Sequence, residues 1–302
     1  MGRNRIKNNF VSKLFSTGSQ KSLANILIYS SNRLSAVGIE TARLDARLVI
    51  AWVLRCDQSW IIGHDDYPLS DSEIGSIEAA ISRREKHEPL AYILGRKEFW
   101  SLDFTVTPAT LIPRPETEGL VESVLNFFPQ RDSQIDVLDL GTGSGCILLA
   151  ILTEYDHARG VGVDTDKKAI AVARGNAQKL RLEARTIFLK SDWYSELPEE
   201  RYFDVVVANP PYLTAHDMAT LPPTIGRFEP ATALFGGKDG LDCYREIFKG
   251  IASKLKPNGI LIMEIGSRQR KAIFSLALKY GLIDSKVTED AAGLSRYFSV
   301  RI

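Results

Sequence analysis

The stretch that decides the fold class is Val137-Leu-Asp-Leu-Gly-Thr-Gly-Ser-Gly145. Its apolar first half is typical of a buried strand, and its three alternating glycines permit a tight turn that a ligand can approach closely. An apolar helical segment follows from Cys146. A dinucleotide-binding fingerprint has the spacing GxGxxG, whereas this stretch reads GxGxG. The pattern therefore predicts a ligand-binding strand–turn–helix unit that differs from an NAD site.

The same alternation of strand and helix continues to the end of the chain. The β-rich runs that we interpret as strands span 135–140, 159–164, 186–190, 203–208 and 260–265, with two closing strands at 285–287 and 296–302. Helical patterns separate them at 145–153, 166–180, 240–255 and 268–280. Such alternation predicts an α/β fold in which helices cover both faces of a mostly parallel sheet. Ligands of such sheets bind where the strands end at their carboxyl side.

Two of these strand ends carry side chains suited to a nucleoside. Asp164 ends the second strand, where a carboxylate can accept hydrogen bonds from both hydroxyls of a ribose. Asp192 and Trp193 follow the third strand, and an acid beside an aromatic ring could bond to and stack on an adenine. The alternative for the glycine loop 141–145 is a turn that serves packing alone. Polar residues at the ends of successive strands disfavour this alternative.

The most specific motif, Asn209-Pro210-Pro211-Tyr212, follows the fourth strand. A planar NH2 group, on an amide or on adenine, is a weak nucleophile because its lone pair is delocalised. The side-chain oxygen of Asn209 and the backbone carbonyl of Pro210 could each accept one of its hydrogens and favour the positive charge that develops there. Tyr212 offers a flat face to a planar substrate. A plain proline-rich turn is the alternative interpretation.

The first part of the chain has a different character. Apolar residues at helical spacing from Ser22 to His87 predict a small helical domain, and Ser70 with Glu73 forms a capping-box pattern at its last helix. Trp52 and Trp60 are expected in its core. A hairpin is predicted between 95 and 107, and a proline-rich linker at 108–115. We divide the chain into a flexible basic tail (1–21), a helical domain (22–90), a hairpin and linker (91–118) and an α/β domain (119–302).

Composition excludes several classes of function. The 302 residues carry 38 Lys and Arg against 37 Asp and Glu, so the net charge of +1 provides no global attraction for nucleic acid. The three cysteines form no CxxC pair, and the four histidines share no ligand spacing, so we assign no metal site. No apolar stretch approaches the length of a membrane span. The acid-free basic tail leaves an organellar transit peptide as an alternative to a cytoplasmic protein.

Taken together, these motifs resemble the S-adenosylmethionine-dependent methyltransferases that modify the glutamine of the Gly-Gly-Gln motif in peptide chain release factors. The resemblance covers most of the chain. Beyond the glycine loop and the tetrapeptide, it rests on Arg43-Leu-Asp-Ala-Arg47, Pro89–Gly95, Glu98-Phe-Trp100, Leu111-Ile-Pro-Arg-Pro-Glu-Thr-Glu118, Glu229-Pro230, Ala233–Leu241 and Glu264-Ile-Gly266. A sister group that methylates a ribosomal protein shares the tetrapeptide, but usually lacks the linker form found here.

The resemblance implies a class I, Rossmann-like methyltransferase domain with a seven-stranded sheet and a small all-helical N-terminal domain that helps dock the release factor. It implies S-adenosylmethionine as the cofactor and release factors as the protein partner. The widely spaced cysteines suit a reducing compartment such as the cytoplasm, and the absence of a heptad pattern favours a monomer. The residues implied for cofactor binding are Gly141, Thr142, Gly143, Ser144, Gly145, Asp164, Trp193 and Asn209. The tetrapeptide 209–212 would bind the substrate, with Asn209 and Pro210 as its catalytic members.

Two other functions remain open from the sequence. An adenine-N6 methyltransferase could use the same tetrapeptide, although the near-zero net charge and the helical domain fit a protein substrate better. The second alternative function is that of a non-catalytic protein, which would keep the fold only to bind a partner. The intact glycine loop and tetrapeptide disfavour this alternative. Glu116 and Glu118 in the linker could border the substrate entrance or simply make local hydrogen bonds.

Overall fold

The computed structural model describes residues 21–302, which divide into two units with a boundary after Leu94. The tail predicted at 1–21 therefore lies outside the described residues, except for Lys21. The linker 108–115 and the hairpin before it belong to the second unit.

The first unit is all-helical. Its helices are α1 (Leu23–Ala36), α2 (Ala42–Leu54), α3 (Gln58–Gly63), α4 (Asp71–Arg84) and α5 (Leu90–Leu94). The predicted capping box begins α4: the Glu73 NH donates to Ser70 Oγ at 3.3 Å, and the Ser70 NH donates to Glu73 Oε2 at 2.7 Å. This reciprocal pair satisfies backbone donors that a helix start otherwise leaves free. The prediction is confirmed.

Trp52 does not lie in the core of this unit, so that prediction was wrong. Its side chain is 39% exposed, because the buried face of α2 is formed by neighbours such as Val49 and Ile50. Trp60 is half-buried against the helical core and stacks on His64, with ring centroids 4.1 Å apart.

The second unit contains a hairpin and a seven-stranded sheet. Its strands are β1 (Arg96–Phe99), β2 (Leu102–Thr105), β3 (Asp136–Leu140), β4 (Arg159–Asp164), β5 (Thr186–Lys190), β6 (Phe203–Ala208), β7 (Leu255–Glu264), β8 (Lys286–Glu289) and β9 (Ser295–Arg301). Its helices are α6 (Glu118–Phe127), α7 (Cys146–Glu154), α8 (Lys167–Lys179), α9 (Ala215–Ala219), α10 (Pro223–Gly226), α11 (Asp242–Ile251) and α12 (Arg270–Lys279).

The sheet has the strand order β5-β4-β3-β6-β7-β9-β8. The five strands from β5 to β7 are parallel, and β9 runs antiparallel to both of its neighbours. The chain passes from β3 outward to β4 and β5 and then returns to β6 on the other side of β3. That reversal places a crevice at the carboxyl ends of β3 and β6, where open sheets of this type bind ligands.

Apolar layers cover both faces of this sheet. In β3, Val137 packs into the cluster formed with α6, α7 and α8, whereas Leu138 and Leu140 pack into the cluster formed with α11 and α12. All three side chains are fully buried. Burial on both faces explains why the strands read as continuous apolar runs. The predicted seven-stranded, mostly parallel sheet is confirmed.

The start of β7 and the presence of α6 differ from the sequence-based expectation. Strand β7 begins at Leu255, five residues before the predicted start at Ile260, because the pairing with β6 shifts between Phe203 and Val205. The sequence interpretation also did not include α6, although Leu120, Val121 and Val124 are fully buried at helical spacing. Helix α6 begins directly after the proline-rich linker, and the prolines there favoured a loop interpretation of this part of the sequence.

No helix in residues 21–302 is both long and apolar enough to cross a membrane.

Candidate active site

The glycine loop 141–145 connects β3 to α7, and its glycines have two different tasks. Gly141, Gly143 and Gly145 have φ angles of +74°, +55° and +81°, which L side chains rarely adopt. A Cβ on Gly141 would face open space, and one on Gly143 would have no atom nearer than 4.0 Å. A Cβ on Gly145 would lie 3.2 Å from that of Ala173. The first two glycines therefore leave the backbone open to a ligand, and the third allows close helix packing.

Asp164, at the end of β4, borders this loop. Its Oδ2 accepts a hydrogen bond from the Gly143 NH at 2.9 Å, and its Oδ1 accepts one from the Asp166 NH at 2.9 Å. Burial raises the pKa of its carboxyl, and these backbone donors act against that effect. Each oxygen keeps a lone pair, so the carboxylate can still accept hydrogen bonds from a bound diol.

Two buried polar atoms beneath the loop lack a hydrogen-bond partner. Among the described residues, the unpartnered buried side-chain atoms are Arg47 Nε, Asp139 Oδ1 and Ser144 Oγ. The other oxygen of Asp139 accepts from Thr142 Oγ1 at 2.6 Å, and burial raises the pKa of the Asp139 carboxyl to about 7. Ser144 also lines the cavity beside this loop, whereas Asp139 does not.

A cavity of about 220 Å³ opens beside this loop. The predicted site residues that line it are Gly141, Thr142, Gly143, Ser144, Asp164, Trp193, Asn209 and Pro211. Gly145, Pro210 and Tyr212 do not line it. Gly145 packs against α8, Pro210 is buried, and Tyr212 is half-buried with its pKa raised to about 12, mainly by burial. The structure thus gathers residues from four strand ends around one space.

Asn209 is held by a chain of hydrogen bonds that the sequence interpretation did not include. Its Nδ2 donates to Thr117 Oγ1 at 3.1 Å, and Thr117 Oγ1 donates to Glu264 Oε2 at 2.7 Å. Thr117 and Glu264 are both 2% exposed. Burial raises the pKa of the Glu264 carboxyl to about 7. The Asn209 Oδ1 makes no hydrogen bond with the described residues and can accept one from a ligand in the cavity.

The segment 233–241 braces the tetrapeptide. The Leu213 NH donates to the Leu234 carbonyl at 2.9 Å, and the Gly236 NH returns a bond to the Leu213 carbonyl at 2.9 Å. A Cβ on Gly236 would lie 2.5 Å from the Pro211 carbonyl oxygen, so only glycine permits this approach. Gly236 of the motif 233–241 is therefore explained by its close approach to the backbone of Pro211.

An ion pair between a partly exposed arginine and a buried glutamate joins the linker to the segment beyond the tetrapeptide. Arg114 Nη2 donates to Glu229 Oε1, and the Ile112 NH donates to Glu229 Oε2 at 3.1 Å. Glu229 is 6% exposed, and Arg114 lines the cavity. The sequence left open whether Glu116 and Glu118 border the substrate entrance or make hydrogen bonds within the fold. Glu118 has the second role, because its Oε1 accepts a hydrogen bond from the Trp100 NH at 2.8 Å.

No group of three or more His, Cys, Asp or Glu side chains in residues 21–302 is arranged to hold a metal ion.

Both units match known families. Residues 25–95 match the family described as PrmC N-terminal domain, and residues 121–222 match the family described as Methyltransferase small domain. A release factor glutamine methyltransferase of Rhodospirillum rubrum is 39% identical over 279 residues, covering 92% of this chain and 85% of that protein. One of Cereibacter sphaeroides is 40% identical over 270 residues, covering 89% and 95%.

This chain belongs to the release factor glutamine methyltransferase family. Solved structures confirm the methyltransferase fold. The hMettl16 catalytic domain in complex with MAT2A 3'UTR hairpin 6 aligns with a TM-score of 0.56 at 15% identity, covering 74% of this chain and 81% of that one. A methyltransferase from Pyrococcus furiosus aligns with a TM-score of 0.50 at 18% identity, covering 74% and 96%. At these identities the likeness concerns the fold alone.

Membership in the release factor glutamine methyltransferase family makes this chain an S-adenosylmethionine-dependent methyltransferase. The residues present fit that cofactor. The glycine loop is open where Gly141 and Gly143 lack a side chain, Ser144 of this loop lines the cavity, and a carboxylate borders the loop on β4. When bound, S-adenosylmethionine supplies a methyl group that is activated by its attachment to a positively charged sulfur.

Proposed function

We propose that this enzyme transfers a methyl group from S-adenosylmethionine to the side-chain nitrogen (N5) of the glutamine in the Gly-Gly-Gln motif of peptide chain release factors, and so supports translation termination. The observation that carries the proposal is the orientation of Asn209. Its NH2 group is engaged by Thr117, so its oxygen is available to an amide NH2 in the cavity beside the glycine loop.

The tetrapeptide supplies orientation and electrostatics. The Asn209 Oδ1 accepts one hydrogen of the substrate amide, and the Pro210 carbonyl accepts the other, which holds the nitrogen lone pair toward the methyl donor. As the new C–N bond forms and the methyl–sulfur electron pair stays with sulfur, positive charge grows on the nitrogen. Both acceptors stabilise that charge. The extra proton on nitrogen then leaves to water.

The remaining site residues take supporting roles. Pro211 and Tyr212 contact the planar substrate. Loop residues 141–144 and Asn209, which line the cavity, hold the methionine part of the cofactor, while Gly145 allows the loop to pack against α8. Asp164 holds the ribose, and Trp193 flanks the adenine. Asp164 is the last residue of β4 and Trp193 follows β5, and the pairing of these two strands supports one continuous nucleoside site.

The helical domain, 22–90, serves in this proposal to dock the release factor, and the enzyme acts as a cytoplasmic monomer without direct contact to nucleic acid. The net charge of +1 supports a protein substrate over a polyanion.

The test is transfer of labelled methyl from S-adenosylmethionine to a purified release factor. A copy whose Gly-Gly-Gln glutamine is replaced by alanine and a duplex DNA are assayed beside it. Label on the intact factor alone supports the proposal. Label on DNA would favour an adenine-N6 activity instead, and an equal amount of label on both factors would place the acceptor atom elsewhere.

A further inference from the structure

We propose that Thr117 and Glu264 are positioning residues that determine which end of the Asn209 carboxamide faces the substrate. This inference rests on the proposed role of Asn209 as the acceptor for the substrate amide. Thr117 is hydrogen-bonded to the NH2 end of the Asn209 side chain, and Glu264 is hydrogen-bonded to Thr117.

The three residues come from separate parts of the second unit. Asn209 follows the last residue of β6, and Glu264 is the last residue of β7, the strand paired with β6 in parallel. Thr117 ends a short 3-10 helix, Pro115–Thr117, that leads into α6. The burial of Thr117 and Glu264, at 2% exposure each, keeps water from replacing these hydrogen bonds.

The polarity of this chain of hydrogen bonds follows from proton counting. An ionised carboxylate can only accept, so the single hydroxyl proton of Thr117 is committed to Glu264 at 2.7 Å. The Thr117 oxygen can then only accept from Asn209, which requires the NH2 end of the amide. The oxygen end must consequently point away from Thr117.

A reversed carboxamide would be unfavourable at both ends. The Asn209 oxygen would face the lone pairs of Thr117 Oγ1 with no proton between them. The Asn209 NH2 would face the NH2 of a substrate amide, so two donors would meet. Unpaired buried polar groups carry a large free-energy cost, and Glu264 therefore selects the productive orientation through Thr117 without touching the substrate.

Steady-state kinetics of release factor methylation distinguish this role from a structural one. The variants are Thr117→Val, which keeps the shape but removes the hydroxyl, and Thr117→Ser, which keeps the hydroxyl. Thr186→Val on β5 is the matched control, because within residues 21–302 the Thr186 hydroxyl bonds only to the nearby Leu182 carbonyl, at 3.0 Å. Cofactor Kd by calorimetry and Tm are measured for each variant.

We expect Thr117→Val to lower kcat by at least about 30-fold, the range of a lost transition-state contact, with cofactor Kd and release factor KM within about threefold. Thr117→Ser should stay within about fivefold of the wild type. Equal losses in the Ser and Val variants, or an unchanged kcat in Thr117→Val, would overturn the inference.

A second measurement reads the Asn209 amide without turnover. In enzyme labelled with 15N-asparagine, the Asn209 NH2 signal is the one absent from Asn209→Ala. We expect the hydrogen that is bonded to Thr117 to exchange slowly with water in the wild type and in Thr117→Ser, and much faster in Thr117→Val. Fast exchange in the wild type would refute the hydrogen-bond chain itself. Slow exchange without methylation of any release factor would instead contradict the proposed substrate and leave the chain supported.

Discussion

The side chain of Gln269 donates a hydrogen bond to the carbonyl oxygen of Tyr212 at 3.2 Å. The same NH2 group donates to the Gly240 carbonyl at 3.0 Å, while Gln269 Oε1 accepts from the Gly266 NH at 3.0 Å. One side chain at the start of α12 thus connects the end of the tetrapeptide with the loop before α11 and with the turn after β7. Without the Gln269 amide, the carbonyls of Tyr212 and Gly240 would both lose this hydrogen-bond donor.

Replacing Gln269 should therefore loosen the substrate side of the site and leave the cofactor side intact. We expect Gln269→Ala to lower kcat/KM for the release factor by about 10-fold, since two carbonyl groups lose a donor. Gln269→Glu should be at least as damaging, because a carboxylate would face the carbonyl oxygens of Tyr212 and Gly240. Cofactor Kd, measured by calorimetry, should change by less than threefold; a large change would contradict this separation.

Substitutions of two loop glycines should have different effects, one mainly on cofactor binding and the other mainly on the stability of the fold. Gly143→Ala places a methyl group in the open space beside the loop, so we expect cofactor Kd to rise at least 10-fold with a modest loss of Tm. Gly145→Ala places it 3.2 Å from the Ala173 Cβ and Leu149 Cδ1, so we expect the larger loss of stability there. Both also carry about 1 kcal/mol of left-handed backbone strain.

Gly175→Ala is the control for these variants. This glycine lies within α8, and a Cβ there would meet no atom within 4 Å. The free energy of unfolding should rise by about 0.5–1 kcal/mol from helix propensity. If all three glycine variants lost stability equally, the distinction between open and packed positions would be wrong.

Asp139 should make the cofactor-free enzyme less stable as pH rises. Burial raises its pKa from 3.8 to about 7, so the folded state holds a proton that the unfolded chain has already released. Its contribution to stability is complete below pH about 4 and is lost as pH increases through 7. Asp139→Asn does not titrate. Urea unfolding should show a gain for this variant that grows between pH 5 and pH 8, reaching about 1–3 kcal/mol.

A gain for Asp139→Asn that is constant across this pH range would show that the Asp139 carboxyl does not titrate there.

The rate of methyl transfer should fall on acidification through the pKa of Glu264, which burial raises from 4.5 to about 7. The carboxylate form accepts the Thr117 proton, whereas the protonated form can donate and so permits the reversed Asn209 amide. We expect kcat at saturating cofactor to rise with pH through about 7. Glu264→Gln should have a lower kcat and lack this limb of the profile.

Several charged or titratable groups act on Glu264 and could contribute to that profile. They are Arg114 and Glu116 in the linker, Tyr212 in the tetrapeptide, Tyr244 on α11, and Arg296 and Tyr297 on β9. Burial raises the pKa of the tyrosines above the range tested, and the pKa of Arg296 is raised as well, so that it stays charged. An unchanged acidic limb in Glu264→Gln would show that Glu264 is not the titrating group, and would point to Asp139, whose pKa is also raised to about 7.

Local features of the site could be predicted from the sequence because they depend on spacing along the chain. The glycine loop, the strand end at Asp164 and the tetrapeptide at 209–212 each combine a buried strand with the turn that follows it. Their meeting at one edge follows from a parallel sheet. The structure places their cavity-lining members around one space, as the pattern indicated.

Thr117, Glu264 and Gln269 could not be assigned in this way. Thr117 and Glu264 stood within motifs of the family resemblance, but nothing in those motifs indicated a contact with Asn209. Gln269 carried no signal beyond its position at a helix start. A hydrogen bond from a side chain leaves no periodic pattern in sequence, and a polar residue in a linker or at a strand end is equally compatible with exposure to solvent.

The sequence by itself determined the alternation of strand and helix, the ligand-binding loop and the tetrapeptide, since periodicity and turn chemistry act over a few neighbouring residues. Only the tertiary structure decided how Asn209 is oriented. Thr117 is 92 residues from Asn209 and 147 residues from Glu264 along the chain. They meet because β6 and β7 are neighbours in the sheet and the linker passes their ends, and strand order is a property of the whole packed domain.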